Sequence, residues 1–553
     1  MDQLLPLGQH ALDLAIRFTQ WPSVTGSRSE AAFPHLLAEL LRAHPYFAAH
    51  PDHLMLQPIA GDPFGRSNVM ALVAGNGSRA VMLSGHFDTV PTDDYGDLAP
   101  LATEPHELRE AIRAKLGDAA GFDLARADLE GSDYLPGRGL LDMKSGLAVG
   151  VAVLEQFAAD PDRAGNLLLI ATADEEDRSV GMRAAADALP GVLARFGLEA
   201  VLGINLDALI DNGDGRAGQI VAMGCVGKLL LSALVVGREA HACYPLNGVN
   251  AGYLAAELVC EMEFAPELGE EAGLGEEAGV ELAAPPTVLG SRDLKAVYNV
   301  TTPSRVWANW NVLSQRRGAA EVLDIANRLA GAAITRARTR MAERNARLRN
   351  PMPVSPGWDE IAVLSFAELR AVAAGRDDGF EGRFLEAAAA LMGRPDLDLP
   401  SRCRVLTELA WDASGLAGPA IVLGFASMPY PAANLPDTAA GRALEARIRA
   451  VTAAAAARHG VSITPIRHLP VIVDMPFLGI VDAEDLRRTA DNTPVWGSSI
   501  DWDLDRAPTP GIPMLNVGPW GRDYHHWLER VHIPYTFGVL PELVRDLAFA
   551  MLD

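Results

Sequence analysis

The stretch Val81-Met82-Leu83-Ser84-Gly85-His86-Phe87-Asp88-Thr89-Val90 decides how this chain is read. Apolar and β-branched residues from Ala80 to Leu83 predict a short buried strand. Gly85 lets the backbone turn close to whatever sits at the end of that strand. His86 and Asp88 are thereby delivered at the carboxyl end of a core strand. An imidazole and a carboxylate two residues apart are what a metal site needs, one group to bind the ion and one to orient it. Alone, the pair fits a hydrogen-bonded structural histidine better, so the reading depends on what the rest of the chain brings to the same edge.

Working outward, apolar strands are expected at Asn68–Val73, Ala80–Leu83, Leu167–Ala173 and Val201–Leu206, with helices at Ala11–Gln20, Glu30–Ala43 and Leu147–Phe157. This alternation predicts an α/β sheet whose ligand site lies beyond the carboxyl ends of the strands. Asp142 directly precedes the third helix, where backbone N–H groups and the dipole favour a carboxylate; a plain N-cap is the simpler account. Strand Leu167–Ala173 runs into Asp174-Glu175-Glu176-Asp177. Consecutive acids at the end of a buried strand are costly unless solvated or compensated by a cation. Strand Val201–Leu206 delivers Asp207 in the same topological position. His86 with Asp88, Asp142, Glu175 with Glu176, and Asp207 therefore converge on one edge. Nitrogen and oxygen ligands without thiolates suit zinc, with manganese or cobalt as substitutes, and the carboxylates suffice for two metals.

With 553 residues the chain is too long for one ordinary core. Between 224 and 346 the pattern changes to strand (Lys228–Val236), helix (Val249–Met262), two strands (Ala296–Val300, Arg305–Leu313) and a long helix (Ala319–Asn345). That order predicts an α+β domain inserted into the first. The expected division is 1–223 and 477–553 for the two parts of the sheet domain, 224–346 for the insertion, and 347–476 for an extra segment without a motif. A formal charge of −24 argues against nucleic acid and anionic membrane as partners. Neither a secretory leader nor an apolar run long enough to span a bilayer is expected. Cys225, Cys243, Cys260 and Cys403 lack CxxC spacing, which points to a cytoplasmic protein without a disulfide framework. There is no G-x-S-x-G elbow and no phosphate-cradling GxxxxGK[ST] loop.

Four segments resemble signatures of the M20 metallopeptidases and deacylases: SGHFDTV, GRGLLDMKSG, ADEED and GPWGRDYHHWLERV. That family includes carboxypeptidase G-type enzymes, aminoacylases and succinyl-diaminopimelate desuccinylases. The HFDTV to DYGDL excursion, the YLPGRGLLDMKSG form and the length are similar to the RocB-type branch, linked to arginine utilisation. The resemblance implies an α/β, mixed-sheet metallohydrolase domain with helices on both faces, plus an inserted α+β lid of ferredoxin-like form; the extra segment 347–476, a departure from the shorter members, is expected to be part of or attached to that lid. It implies two zinc ions, with Mn2+ or Co2+ able to substitute. Their ligands would be His86, Asp142 as the bridge, Glu176, Asp207 and one late histidine. The family spacing of His and Glu selects His525 with Glu529, and His526 is the adjacent rival. Asp88 would orient His86, and Glu175 would be the general base.

In GREAHACYPLNGVNA, His241 resembles the lid histidine that donates to the oxyanion, in dimeric members within the partner's site. Asn299 resembles the lid asparagine that holds substrate or oxyanion. Trp307-Ala-Asn-Trp310 departs from the pattern, since many members carry an acid and an arginine there that grip a substrate carboxylate. The function implied is hydrolysis of an amide bond, releasing an amino acid from an N-acyl amino acid or short peptide. A water bridging the two metals would attack, with Glu175 taking its proton. A homodimer through the lid is the expected assembly. The rival is a non-catalytic homologue that binds amino acids or a protein, for which the retained base would have no chemical use.

Overall fold

The computed structural model describes residues 4–117, 119–210, 219–272, 281–282, 284–469, 471–500, 502 and 510–552. They form two compact units, one of Met1–Cys225, Ala433–Ile480 and Thr509–Asp553, the other of Val226–Ala432 and Val481–Pro508.

The first unit is built on an eight-stranded sheet in the order Leu54–Pro58, Ser67–Ala74, Ala164–Thr172, Asn76–His86, Glu199–Asn205, Met514–Asn516, Gln219–Ala222, Ile463–Ile466. Asn76–His86 lies parallel to both Ala164–Thr172 and Glu199–Asn205, with His86 opposite Thr172 and Ser84 opposite Asn205. Three successive strands therefore end at one edge, which follows from crossover connections between parallel neighbours. Ser67–Val73 and residues 165–172 are buried at every position, so both sheet faces are covered. Helix Ser145–Ala159, apolar nearly all round, packs on these central strands together with helix Leu540–Leu552. Helices Arg28–Arg42 and Val180–Phe196 also pack against the sheet. A small four-stranded sheet joins Tyr134–Pro136, Arg530–His532, Trp520–Arg522 and Leu209–Ile210.

The second unit has a five-stranded sheet ordered Thr287–Asp293, Arg305–Ser314, Gly227–Val236, Ala420–Phe425, Ala362–Ser365. The first four strands are antiparallel, and with helices Ala251–Met262 and Ala319–Ala346 they complete the β–α–β–β–α–β order of a ferredoxin-like domain. Ala362–Ser365 adds a parallel edge strand. Trp310 is fully buried in the core between sheet and helices.

Two expectations change. The strand expected at Ala296–Val300 is instead a turn, with Tyr298 90% and Val297 73% exposed. Asn299 Oδ1 accepts the Thr301 N–H at 3.2 Å, which closes the chain locally, and Thr287–Asp293 takes the edge of the sheet. The segment 347–476 also divides. Ala420–Phe425 pairs with Gly227–Val236 in the second unit, whereas Ile463–Ile466 pairs with Gln219–Ala222 in the first. The described residues of 481–508 fold with the second unit, where Phe425 N–H donates to Asn492 O at 2.8 Å. Among the described residues no helix is long and apolar enough to cross a membrane, and all four cysteines are free.

Helix Ser145–Ala159 reaches the sheet edge through a glycine. A Cβ on Gly146 would sit 1.9 Å from the carbonyl oxygen of Leu206, the residue before Asp207. Gly146→Ala is therefore expected to destabilise the fold by about 1–3 kcal/mol, because backbone rather than a flexible side chain must move. It should also weaken uptake of zinc as a probe of the metal site expected from the sequence, since the helix start and Asp207 are forced apart; denaturant melts and zinc titration check both, and a wild-type zinc affinity would refute the link.

Candidate metal centre

His86 arrives at the end of its strand and is almost fully buried. Its Nε2 lies 3.1 Å from Asp142 Oδ1, 3.7 Å from Asp207 Oδ1 and 4.0 Å from Glu175 Oε2. On the other side of Asp142, His525 Nε2 lies 3.2 Å from Asp142 Oδ2 and 3.1 Å from Glu176 Oε1. Two donor triads result, His86/Asp142/Asp207 and Asp142/Glu176/His525, each with ligand atoms within 4.8 Å of one another. Asp142 belongs to both, one oxygen to each. It caps no helix: the helix starts at Ser145 without a side-chain cap. His526 lies in neither triad, and its Nδ1 accepts the Leu528 N–H at 3.3 Å.

Asp88 does more than orient His86. Its Oδ1 is 3.6 Å from His86 Nδ1, and the same ring nitrogen is 3.1 Å from its backbone carbonyl. The carboxylate accepts the N–H of Glu175 at 3.0 Å and that of Glu176 at 3.2 Å, as well as the Thr25 hydroxyl at 2.9 Å. One buried carboxylate thus fixes an imidazole and the turn that carries the paired glutamates.

Behind this turn lies a network that sequence reasoning missed. Arg66, fully buried, donates to Glu30 at 3.1 Å, to Asp62 at 2.7 Å and to Asp174. Glu30 also accepts the Asp174 N–H at 3.0 Å, and Asp174 itself holds a left-handed backbone at φ 66°. The clamp fixes the residue immediately before Glu175. A second clamp holds Asp142: Glu529 accepts from Arg138 at 2.8 Å and from the N–H groups of Leu141 at 3.1 Å and Asp142 at 3.3 Å. Arg138 also reaches Asp94 at 2.7 Å. A Cβ on Gly518 would lie 1.8 Å from Asp207 O, so this position too depends on close backbone approach.

Electrostatics test whether the donors fit a cation. Burial disfavours charge on His86, yet the carboxylates of Asp142, Asp207 and Asp88 outweigh it and raise its pKa well above the usual imidazole range. At His525 burial is likewise opposed by Asp142 and Glu176, which raise it to about 10. Burial, with Asp474, Asp207 and Glu176 adding, pushes Glu175 well above the usual carboxylate range against the pull of His86. The clustered carboxylates thus raise the proton affinity of both imidazoles. Hard oxygen donors and imidazole nitrogens around such an excess of carboxylate suit divalent cations of the zinc type.

The sequence profile described as Peptidase family M20/M25/M40 matches residues 82–464. The chain belongs to this family. Across 98% of this chain and 96% of the relative it is 31% identical to the uncharacterized protein YqjN of Bacillus subtilis. To Protein RocB of the same organism it is 27% identical, over 96% of this chain and 93% of that protein. A succinyl-diaminopimelate desuccinylase of Stenotrophomonas maltophilia is 29% identical over 45% of this chain and 56% of its own length. The fold is shared with an M20 family metallo-carboxypeptidase from Sulfolobus solfataricus, with a TM-score of 0.51 at 12% identity, covering 98% of this chain and 99% of that one.

His241 and Asn299 belong to the second unit of this M20 chain. Their segments meet through an antiparallel bridge between His241 and Thr301. His241 is exposed and its Nδ1 accepts the Cys243 N–H at 3.1 Å, while Asn299 is engaged with Thr301.

The shared position of Asp142 gives a stoichiometric test. Wild-type protein should take up two zinc ions, Asp207→Ala or Glu176→Ala one tightly, and Asp142→Ala neither at comparable affinity. Isothermal titration and elemental analysis check this; two tightly held ions in Asp142→Ala would sink the shared role. Because ligand protons must leave, the apparent affinity should fall as pH falls from 8 to about 6.

Proposed function

We propose that this M20 chain is a metal-dependent amide-bond hydrolase that releases an amino acid from an N-acyl amino acid or a short peptide. The observation that carries this reading is the position of Glu175. It lies in neither donor triad, yet its Oε2 is 4.0 Å from His86 Nε2, a member of the first. Its neighbour Glu176 is a triad member, so adjacent glutamates divide into a ligand and a free carboxylate.

His86, Asp142 and Asp207 would hold one divalent cation, and Asp142, Glu176 and His525 a second. When bound, such cations supply Lewis acidity that polarises a carbonyl and acidifies water. Glu175 takes the proton from the attacking water and passes it to the leaving amine nitrogen, so one water is consumed per amide cleaved into a carboxylate and an amine. Asp88 keeps the glutamate turn in place by accepting the backbone N–H groups of Glu175 and Glu176.

Support for the amide bond comes from the family and from the desuccinylase relatives. His241 is proposed to donate a hydrogen bond to the oxyanion, and Asn299 to contact substrate, in a homodimer assembled through the second unit. Arginine utilisation as a setting is supported only by the likeness to RocB.

Glu175→Gln should retain both metals and lose about 10²–10⁴-fold in kcat. The assay is amino-acid release from N-acyl amino acids and dipeptides, with and without a chelator. Release that persists in the metal-stripped protein, or undiminished turnover in Glu175→Gln, would overturn the reading. His241→Ala should lower kcat by about 10²-fold, as expected for one oxyanion donor, without changing zinc stoichiometry. If the donor acts across a dimer, mixing His241→Ala with Glu175→Gln should restore part of the activity, and no recovery on mixing would exclude the shared site.

A further inference from the structure

His525 differs from the other donors of the metal centre. His86, Asp142 and Asp207 are buried, whereas His525 is exposed. It lies within residues 523–529, which join strand Trp520–Arg522 to strand Arg530–His532 outside any helix or strand. Asp523 and His525 both hold a left-handed backbone, at φ 55° and 61°. Residues other than glycine keep that conformation where their surroundings over-determine it. Glu529 anchors the end of the loop beside Asp142. A second anchor comes from residues 93–130, a segment the hydrolytic scheme does not use.

That segment folds helices Pro105–Leu116 and Asp123–Glu130 around a small core of Leu108, Ile112, Leu116 and Leu129, and Leu528 of the His525 loop is buried in it. Trp527 of the same loop packs edge-on against Phe122, with 6.0 Å between ring centroids, and Lys115 Nζ lies 5.0 Å over its ring. At the mouth of the loop, Arg522 and Arg530 face each other across the strand pair. Opposed guanidinium groups repel unless a carboxylate lies between them. Asp128, on helix Asp123–Glu130, supplies that carboxylate, pairing with Arg522 at 2.7 Å and with Arg530 at 2.7 Å. Arg530 is fully buried and donates onward to the Asp523 carboxylate and, at 3.0 Å, to the Leu528 carbonyl. Its two contacts fall on either side of His525.

We propose that Asp128 is a positioning residue for the last metal ligand: through Arg522 and Arg530 it fixes the loop that aims His525 at Asp142 and Glu176. This rests on the metal-dependent reading above and concerns the Asp142/Glu176/His525 triad alone. His86 and Asp207 arrive from strands of the eight-stranded sheet, so the first triad does not draw on this anchor. Groups that orient a ligand from behind carry about 10- to 100-fold of metal affinity.

Zinc titration of single-site parents separates the two triads. Asp207→Ala leaves Asp142, Glu176 and His525, and Glu176→Ala leaves His86, Asp142 and Asp207. Adding Asp128→Asn to the first parent should weaken zinc binding about 10- to 100-fold, and adding it to the second should change the affinity by less than about twofold. Cobalt(II) bound to Asp207→Ala reports the same site through its visible absorption, which should shift when Asp128→Asn is added. If Asp128→Asn fails to fold, Phe122→Ala decides instead. It removes only the half-buried ring against Trp527 and should lower the same zinc affinity about tenfold. Unchanged zinc affinity in the Asp207→Ala background overturns the proposal. So does an equal loss in both backgrounds, which is what general destabilisation produces. A parent that takes up no zinc overturns it together with the two-site reading. Site-selective loss in a protein that hydrolyses no amide would sink the hydrolase reading and leave this one standing; hydrolysis with unaltered zinc affinity would do the reverse.

Discussion

The constraint on which the first unit depends is the gathering of Asp142, Glu175, Glu176 and Asp207 around two imidazoles at a buried sheet edge. Like charges this close repel, and burial strips away the water that would screen them. The fold does not relieve the repulsion inside the site; it relieves it from behind. Asp88 is turned toward backbone N–H groups, Glu529 toward Arg138 and two more N–H groups, and Asp174 toward Arg66. These three acids are satisfied by donors of the chain. The acids that face one another across the two triads are left to the imidazoles, which is the condition under which a divalent cation is bound rather than excluded.

This division explains what could be read from the sequence. Strand ends carrying His86, Asp174 to Asp177 and Asp207 were legible because burial imposes a run of apolar residues, and the polar residue that ends such a run marks the carboxyl edge. The choice of His525 over His526 was legible only through the family spacing to Glu529. The structure gives that spacing a physical content, because Glu529 holds the Asp142 peptide while His525, four positions earlier, meets the Asp142 side chain. Arg66 and Arg138 were not legible. Arg66 reaches Asp174, 108 residues away, and Arg138 reaches Glu529, 391 residues away, and no local pattern distinguishes a buried arginine from a solvated one.

In the second unit the failure was of another kind. Val297, Tyr298 and Val300 have the β-branched and aromatic character of a strand, and propensity alone cannot tell a paired strand from an exposed turn. The edge went instead to Thr287–Asp293, whose pairing with Arg305–Ser314 continues across a bulge between Val288 and Gly290. The segment after 346 carries no motif, so its sequence suggests a single addition. Its strands in fact serve two sheets: Ala420–Phe425 supplies the fourth strand of the ferredoxin-like order, and Ile463–Ile466 closes the edge of the eight-stranded sheet.

Glycine placement links these levels. At Gly85, Gly146 and Gly518 a side chain would strike Met143, the Leu206 carbonyl and the Asp207 carbonyl respectively. All three contacts surround the same few residues, so close backbone approach is concentrated where the ligands must meet. Helical Gly146 sacrifices intrinsic propensity to reach this geometry. A site assembled from short backbone distances and buried carboxylates has little freedom to adjust.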